Sequence, residues 1–272
     1  MVKVGLIQME CVEDKNRNVE KALRFIHDAS EKGAKIICLQ EVFSTQYVGT
    51  RLDSKYFNLA EPIPGPTIAK VSRAAKEHKV SIVAPIFEED TYMKGKFYNS
   101  AAVLDPNGEL LGIYRKTHIP QQPGFQEKFY FAVGNIKYPV FQLPEAKIGV
   151  YICYDRHFPE GLRAQALKGA EIVFIPTCTC VYRELWELEV RAHAAFNQIF
   201  VAGLNRVGKE SSEQTAPYYG HSCVANPRGE IIAQAGDDEE LLIVDIDTNY
   251  IREYRKNAPF FWRDRAPHLY SD

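Results

Sequence analysis

The sequence predicts an α/β fold arranged as a four-layer α-β-β-α sandwich, and three observations predict it. Short segments recur in the same order in two halves of the chain. Each half reads as strand, helix, strand, helix and hairpin. The run Ile36 to Leu39 is apolar at every position, the mark of a strand covered on both faces. Two sheets with helices on one face each would bury their bare faces against one another.

The recurring segments pair as follows. Lys3-Val-Gly-Leu-Ile matches Lys147-Ile-Gly-Val-Tyr, and Gly33-Ala-Lys-Ile-Ile matches Gly169-Ala-Glu-Ile-Val. Ser81-Ile-Val-Ala matches Ile199-Phe-Val-Ala, and Asp105-Pro-Asn-Gly-Glu-Leu matches Asn226-Pro-Arg-Gly-Glu-Ile.

In chain order, Val2 to Gln8 reads as the first strand. Val19, Ala22, Leu23, Ile26 and Ala29 fall on one face at helical spacing, and Gly33 suits the stop of that helix. Asp105-Pro-Asn-Gly and Asn226-Pro-Arg-Gly carry turn chemistry between strands. Lys147 to Ile152 is apolar and strand-like, with a helix opening at Pro159-Glu160. Glu184 to Asn197 reads as a helix, followed by a strand from Ile199 to Leu204. After Asp247 the pattern changes. Pro259-Phe-Phe-Trp-Arg-Asp-Arg-Ala-Pro267 has aromatics without periodicity, which suit packing on the chain's own domain or on a partner subunit. No low-complexity segment divides the chain, so residues 1–272 are expected to form a single domain with 248–272 as its C-terminal tail.

At 272 residues and 46% hydrophobic, the chain can bury a large core without staples. A net charge of −2 with no basic stripe argues against nucleic acid as a partner. No apolar run approaches the roughly 20 residues of a membrane span. The six cysteines follow no signal peptide, so reduced thiols and a cytoplasmic location are expected.

Three polar residues each follow an apolar run: Glu41 after Ile36-Ile-Cys-Leu-Gln40, Lys116 after Leu110 to Arg115, and Cys153 after Lys147 to Ile152. A cysteine just past a buried strand is presented rigidly at a loop, as nucleophiles often are. Taken alone, a free cysteine more often only packs.

Glu41 in LQEVF, Lys116 in YRKTHIP and Cys153 in ICYDRHFPE resemble the Glu-Lys-Cys set of the nitrilase superfamily of carbon–nitrogen hydrolases. The similarity spans nearly the whole chain. EKFYF, CYDRHFPE, LWELE and LNRVG most resemble the N-carbamoyl amino acid amidohydrolases, particularly β-ureidopropionase-like enzymes. The resemblance implies the same four-layer fold, a cofactor-free and metal-free site, and a homodimer or higher homo-oligomer.

The chemistry suits those residue types. A free thiol is mostly protonated at neutral pH, so Cys153 needs a base, and Glu41 can take its proton. Lys116 and the N–H of Tyr154 can stabilise the negative charge that develops on the attacked group. The resemblance gives Glu127 the part of a second glutamate that orients the lysine or places the substrate. Arg156 is offered as a bidentate anchor for a substrate carboxylate, although it could instead pair with Asp155 or Glu160. His157 is a further substrate-side candidate, and His118 a support for the lysine loop. Cys178 and Cys180 lack the ligand spacing of a metal site and are read as packing or pocket-lining residues.

The expected activity is hydrolysis of N-carbamoyl amino acids, N-carbamoyl-β-alanine among them, to amino acid, carbon dioxide and ammonia. N-carbamoylputrescine or a plain ω-amide is the alternative substrate for the same triad. The alternative from another class is a catalytically silent binding protein.

Overall fold

The computed structural model describes residues 1–210, 214, 216–257 and 259–270. The first half runs β1 (Val2–Gln8), α1 (Lys15–Glu31), β2 (Ile36–Leu39), α2 (Pro66–His78), β3 (Ser81–Glu89), β4 (Phe97–Leu104) and β5 (Leu110–Arg115). The second runs β6 (Val140–Gln142), β7 (Lys147–Val150), α3 (Pro159–Leu167), β8 (Ile172–Pro176), α4 (Arg183–Asn197), β9 (Phe200–Leu204), β10 (Cys223–Ala225) and β11 (Ile231–Gln234). Strand β12 (Glu240–Ile246) returns to the first sheet, and α5 (Asn249–Asn257) follows it.

Two mixed sheets result, ordered β12-β1-β2-β3-β4-β5 and β11-β10-β9-β8-β7-β6. The two orders have the same connectivity, so the halves repeat one topology. Side-chain alternation makes the layers. Along β2, Ile36 and Cys38 join the core that holds residues of both sheets, whereas Ile37 and Leu39 join the core under α1 and α2. Every residue of this strand is thus buried, as its unbroken apolar run predicts.

Local chemistry explains the element boundaries. The Asp14 carboxylate caps α1 by accepting from the N–H groups of Asn16 and Arg17. Gly33, at φ +84°, takes the left-handed step that ends the helix. The two hairpin turns share their cap bonds. The Asp105 side chain accepts from the N–H groups of Asn107 and Glu109, and the Asn226 side chain from those of Arg228 and Glu230. Each hairpin also has a register shift on the strand leading into its turn, at Val103/Leu104 and at Val224/Ala225.

One expected correspondence is out of register. The ladders set Ile36 opposite Ser81 and Ile172 opposite Phe200, so Ser81 corresponds to Phe200 rather than to Ile199. The segment is short and β-branched, and such runs match almost as well one residue over. The tail also differs from its sequence reading, because its first residues form α5. That helix buries only Ile251, too little to give an apolar stripe. Trp262 packs against the chain's own core, while Phe260, Phe261 and Tyr270 stay exposed. No helix among the described residues is long and apolar enough to cross a membrane.

Leu6 is fully buried in the inter-sheet core. Leu6→Ala is expected to lower stability by about 2–5 kcal/mol, through lost burial plus the cavity left behind. Urea denaturation measures the difference, and a loss below that range would show that the sheets close over the gap.

Candidate active site

Strand directions bring the candidate residues together. β5 is antiparallel to β4, which is antiparallel to β3, so β2, β3 and β5 end on one edge of their sheet. Glu41 lies just beyond β2, Lys116 directly after β5, and Cys153 shortly after β7. The carboxyl ends of strands are where α/β sheets commonly hold ligands.

Lys116 is buried, and its ammonium bridges two buried carboxylates. Nζ donates to Glu41 Oε1 at 2.8 Å and to Glu127 Oε1 and Oε2 at 2.9 and 2.7 Å. Glu127 opens the single helical turn Glu127–Tyr130. A carboxylate oxygen of each glutamate and Sγ of Cys153 lie within 4.8 Å of one another. Such a trio can hold a metal ion; here the cation bonded to both carboxylates is the lysine. Asn99 Nδ2 donates to Glu41 Oε1 at 2.7 Å, and the Tyr47 hydroxyl to Glu127 Oε1 at 2.6 Å. Glu41 Oε2 is buried with no hydrogen-bond partner among the described residues. It is the one carboxylate oxygen of the pair left free to accept a proton.

Cys153 opens the 3-10 turn Cys153–His157 with φ +50°, a left-handed conformation unusual for a residue with a side chain. Asp155 holds that turn in place. Its Oδ1 accepts from the backbone N–H of His118 at 2.8 Å and pairs with His118 Nδ1 at 2.7 Å. Its Oδ2 accepts from the Tyr114 hydroxyl at 2.7 Å and from the N–H of Ile152 at 3.1 Å. The His118 ring stacks on Phe158 at 3.7 Å. The expected loop-supporting histidine thus acts through the cysteine turn.

Arg156 pairs with neither Asp155 nor Glu160. Its Nη1 donates to the Cys153 carbonyl at 3.0 Å and approaches Sγ at 3.9 Å, while Nε lies 2.8 Å from Glu189 Oε2 on α4. His157 Nδ1 is 2.5 Å from the other oxygen of Glu189. Cys178 turns its thiol to the Glu41 carbonyl at 3.4 Å, and none of the six cysteines is in a disulfide.

Burial dominates the electrostatics. It pushes the Cys153 thiol up to about 12, and the Glu41 charge adds to it, against the pull of Lys116 and Arg156. The resting group is therefore a neutral thiol. Burial also disfavours the Lys116 charge, but the negative charges of Glu127 and Glu41, and of Cys153 once it ionises, outweigh it and hold the ammonium well above the ordinary lysine range. Burial pushes Glu127 up to about 7 against Lys116, with the Glu41 charge acting in the same upward direction.

The thiol meets solvent through a cavity of about 190 Å³, lined by Cys153, Tyr154, Arg156, His157, Phe125 and Leu185 among others. Pockets for drug-sized ligands span roughly 300–1,000 Å³, so this one suits a small substrate. Arg156, His157 and Tyr154 line this cavity, while Glu41, Lys116 and Glu127 stand behind the sulfur. Sequence patterning assigns no part to Tyr47, Arg206 or Glu189, which reach the site from loops and a helix. A polar residue amid the apolar run of β4 was the one available signal, for Asn99.

The model of the carbon-nitrogen hydrolase family matches residues 3–256. The chain is 40% identical to an N-carbamoylputrescine amidase of Solanum lycopersicum, over 99% of this chain and 94% of the relative. It is 37% identical to a citrullinase of Francisella tularensis, over 100% and 97%. The crystal structure of a carbon-nitrogen hydrolase from Helicobacter pylori G27 superposes with a TM-score of 0.92 at 32% identity, covering 99% of this chain and 97% of that one.

Asp155→Asn replaces an all-acceptor group by one whose amide faces N–H and O–H donors. The expected cost is about 1–3 kcal/mol, as for buried donors left unsatisfied. Chemical denaturation of the purified variant tests it, and unchanged stability would mean that Asp155 does not secure the turn.

Proposed function

The chain belongs to the carbon–nitrogen hydrolase family and is a hydrolase of non-peptide carbon–nitrogen bonds; on that premise we propose that it cleaves the terminal ureido group of small N-carbamoyl compounds, with Cys153 as nucleophile. The observation that carries this reading is a Glu41 carboxylate within 4.8 Å of the buried Cys153 sulfur, with one of its oxygens unpartnered and the other bonded to Lys116.

A thiol held near 12 supplies almost no thiolate at neutral pH, so its proton must leave as the bond to carbon forms. Glu41 Oε2 takes that proton while Sγ attacks the ureido carbon. Charge develops on the ureido oxygen, where the Lys116 ammonium and the N–H of Tyr154 stabilise it. Collapse breaks the bond to the terminal nitrogen, which leaves as ammonia with the proton held by Glu41. A carbamoyl thioester remains on Cys153. Water, deprotonated by Glu41, releases a carbamic acid that decomposes to carbon dioxide and the amine. Glu127 takes no part in bond making. It holds Lys116 in place and balances its charge.

The tail of the substrate is the finer question. A guanidinium binds a carboxylate best through two neighbouring nitrogens. Arg156 Nη1 is engaged by the Cys153 carbonyl, and Glu189 Oε2 stands 2.8 Å from Nε, an ion pair that occupies the other edge without hydrogen-bond geometry. That arrangement favours a carbamoylated amine of the N-carbamoylputrescine kind over the N-carbamoyl amino acids expected first. The name of one curated relative, N-carbamoylputrescine amidase, points the same way. N-carbamoyl amino acids stand as the second reading because Arg156 Nη2 has no partner among the described residues and can still make a single bond to a carboxylate.

Cys153→Ala should abolish ammonia release from N-carbamoylputrescine and N-carbamoyl-β-alanine, a loss of several orders of magnitude typical for a removed nucleophile. Cys178→Ala should be far milder. Retention of more than about a tenth of the rate in Cys153→Ala would refute covalent catalysis at this thiol. No ammonia from the wild type with either compound would refute the ureido reading and turn the test to plain ω-amides.

Arg156→Gln should slow both compounds by a similar factor, since the bond lost is to the Cys153 carbonyl. A further loss of about ten- to a hundred-fold confined to the carboxylate substrate, the scale of one charge-assisted bond, would establish the second reading.

A further inference from the structure

Both carboxylates of the site are tied to one buried pair that lies outside the substrate cavity. Arg206 follows β9 and is completely buried. Its Nη2 donates to the carbonyls of Glu41 at 2.7 Å and Val42 at 3.0 Å, and its Nη1 to the carbonyl of Thr45 at 2.9 Å. One planar fork therefore grips three carbonyls of the turn that presents Glu41. That turn needs gripping, because Val42 sits at φ +42°, a left-handed conformation that a β-branched residue resists.

Arg206 is ion-paired in turn to Glu210. Glu210 Oε2 accepts from the N–H of Tyr47 at 2.7 Å, and the Tyr47 hydroxyl donates to Glu127 at 2.6 Å. The pair thus reaches Glu41 through its own backbone and Glu127 through Tyr47.

We propose that Arg206, locked by Glu210, is a positioning residue for both carboxylates and sets the distance from Glu41 to the Cys153 thiol. This rests on the assignment of Cys153 as nucleophile and Glu41 as its base. Arg206 touches no reacting atom. Its three carbonyl bonds and the strained turn are what a device for holding one side chain requires, since a misplacement of about 1 Å at a base can cost on the order of a hundred-fold in rate.

The test uses Arg206→Lys, which keeps the charge and loses the fork, and Glu210→Gln, which keeps the size and the acceptor for Tyr47. In each folded variant, kcat for N-carbamoylputrescine and N-carbamoyl-β-alanine should fall about ten- to a hundred-fold with KM within about two-fold. The rate of Cys153 alkylation by iodoacetamide should fall with it, because the thiol has lost the base that takes its proton. A merely structural role would instead reduce the fraction of alkylatable enzyme and leave kcat per labelled site unchanged. Glu210→Gln decides the matter if Arg206→Lys does not fold. Wild-type kcat and alkylation rate in the folded variants would overturn the proposal. Absent ammonia release in the wild type would count against the hydrolase assignment alone, and the alkylation arm would still decide the positioning.

Discussion

A lysine ammonium withdrawn from water must be surrounded by negative charge, and at Lys116 that requirement shapes the surroundings. Desolvating an ion costs several kcal/mol even after relaxation, and the cost is recovered only where opposing charge and hydrogen bonds are well placed. Glu41 and Glu127 supply the charge, and both are themselves buried. They need partners in turn. Asn99 from β4 and Tyr47 from the loop after β2 provide them. Each added group comes from a different element, so the cluster can form only when the first sheet, its loops and the connection to the second sheet are all in place.

Burial of this cluster also determines the kind of chemistry it can perform. Many reactive cysteines work as thiolates, stabilised by a neighbouring cation. Here burial is the main reason the proton stays on the thiol, and the Glu41 charge adds to it against the pull of Lys116 and Arg156. A neutral thiol is a weak nucleophile until something removes its proton. On the proposed mechanism the site depends on the placement of Glu41 more than on the field around Cys153, which is the part proposed for the clamp on the Glu41 turn. Arg156, close to the sulfur, cannot fill the gap because Glu189 already balances its charge.

What could be read in the sequence was what pattern and order carry. Glu41, Lys116 and Cys153 stood out because each interrupts an apolar run at the end of a strand, and Glu127 came only through the family resemblance. The hairpin turns were visible because Asp105 and Asn226 bring their own turn chemistry. Arg206 was not visible. Its partners are backbone carbonyls distant in sequence, and those leave no trace in side-chain pattern. Glu189 stood only as the last residue of LWELE, without a role, since the turn it meets is brought to it by tertiary packing. The helix after Asp247 went unread because Ile251 alone is buried along it.

The repeated topology sharpens the question of why chemistry resides at one place. Carrying the ladder register across the halves, Met9 corresponds to Cys153, Thr177 to Glu41 and Asp237 to Lys116. Met9 is buried with its N–H and carbonyl both bonded to the Gln40 side chain, so it ties strand ends together and does no more. Asp237 is largely exposed and pairs with His221. Neither half therefore holds a complete set. The first supplies Glu41 and Lys116, the second supplies Cys153, and the segment between them supplies Glu127. A site divided in this way exists only when the two sheets are packed face to face. It also needs ties that cross the interface in both directions. Arg206 reaches from the second half to the Glu41 turn, and Tyr114 and His118 reach from the first to Asp155 under the cysteine. The inter-sheet core brings the halves together, and these polar ties determine the register in which their chemistry meets.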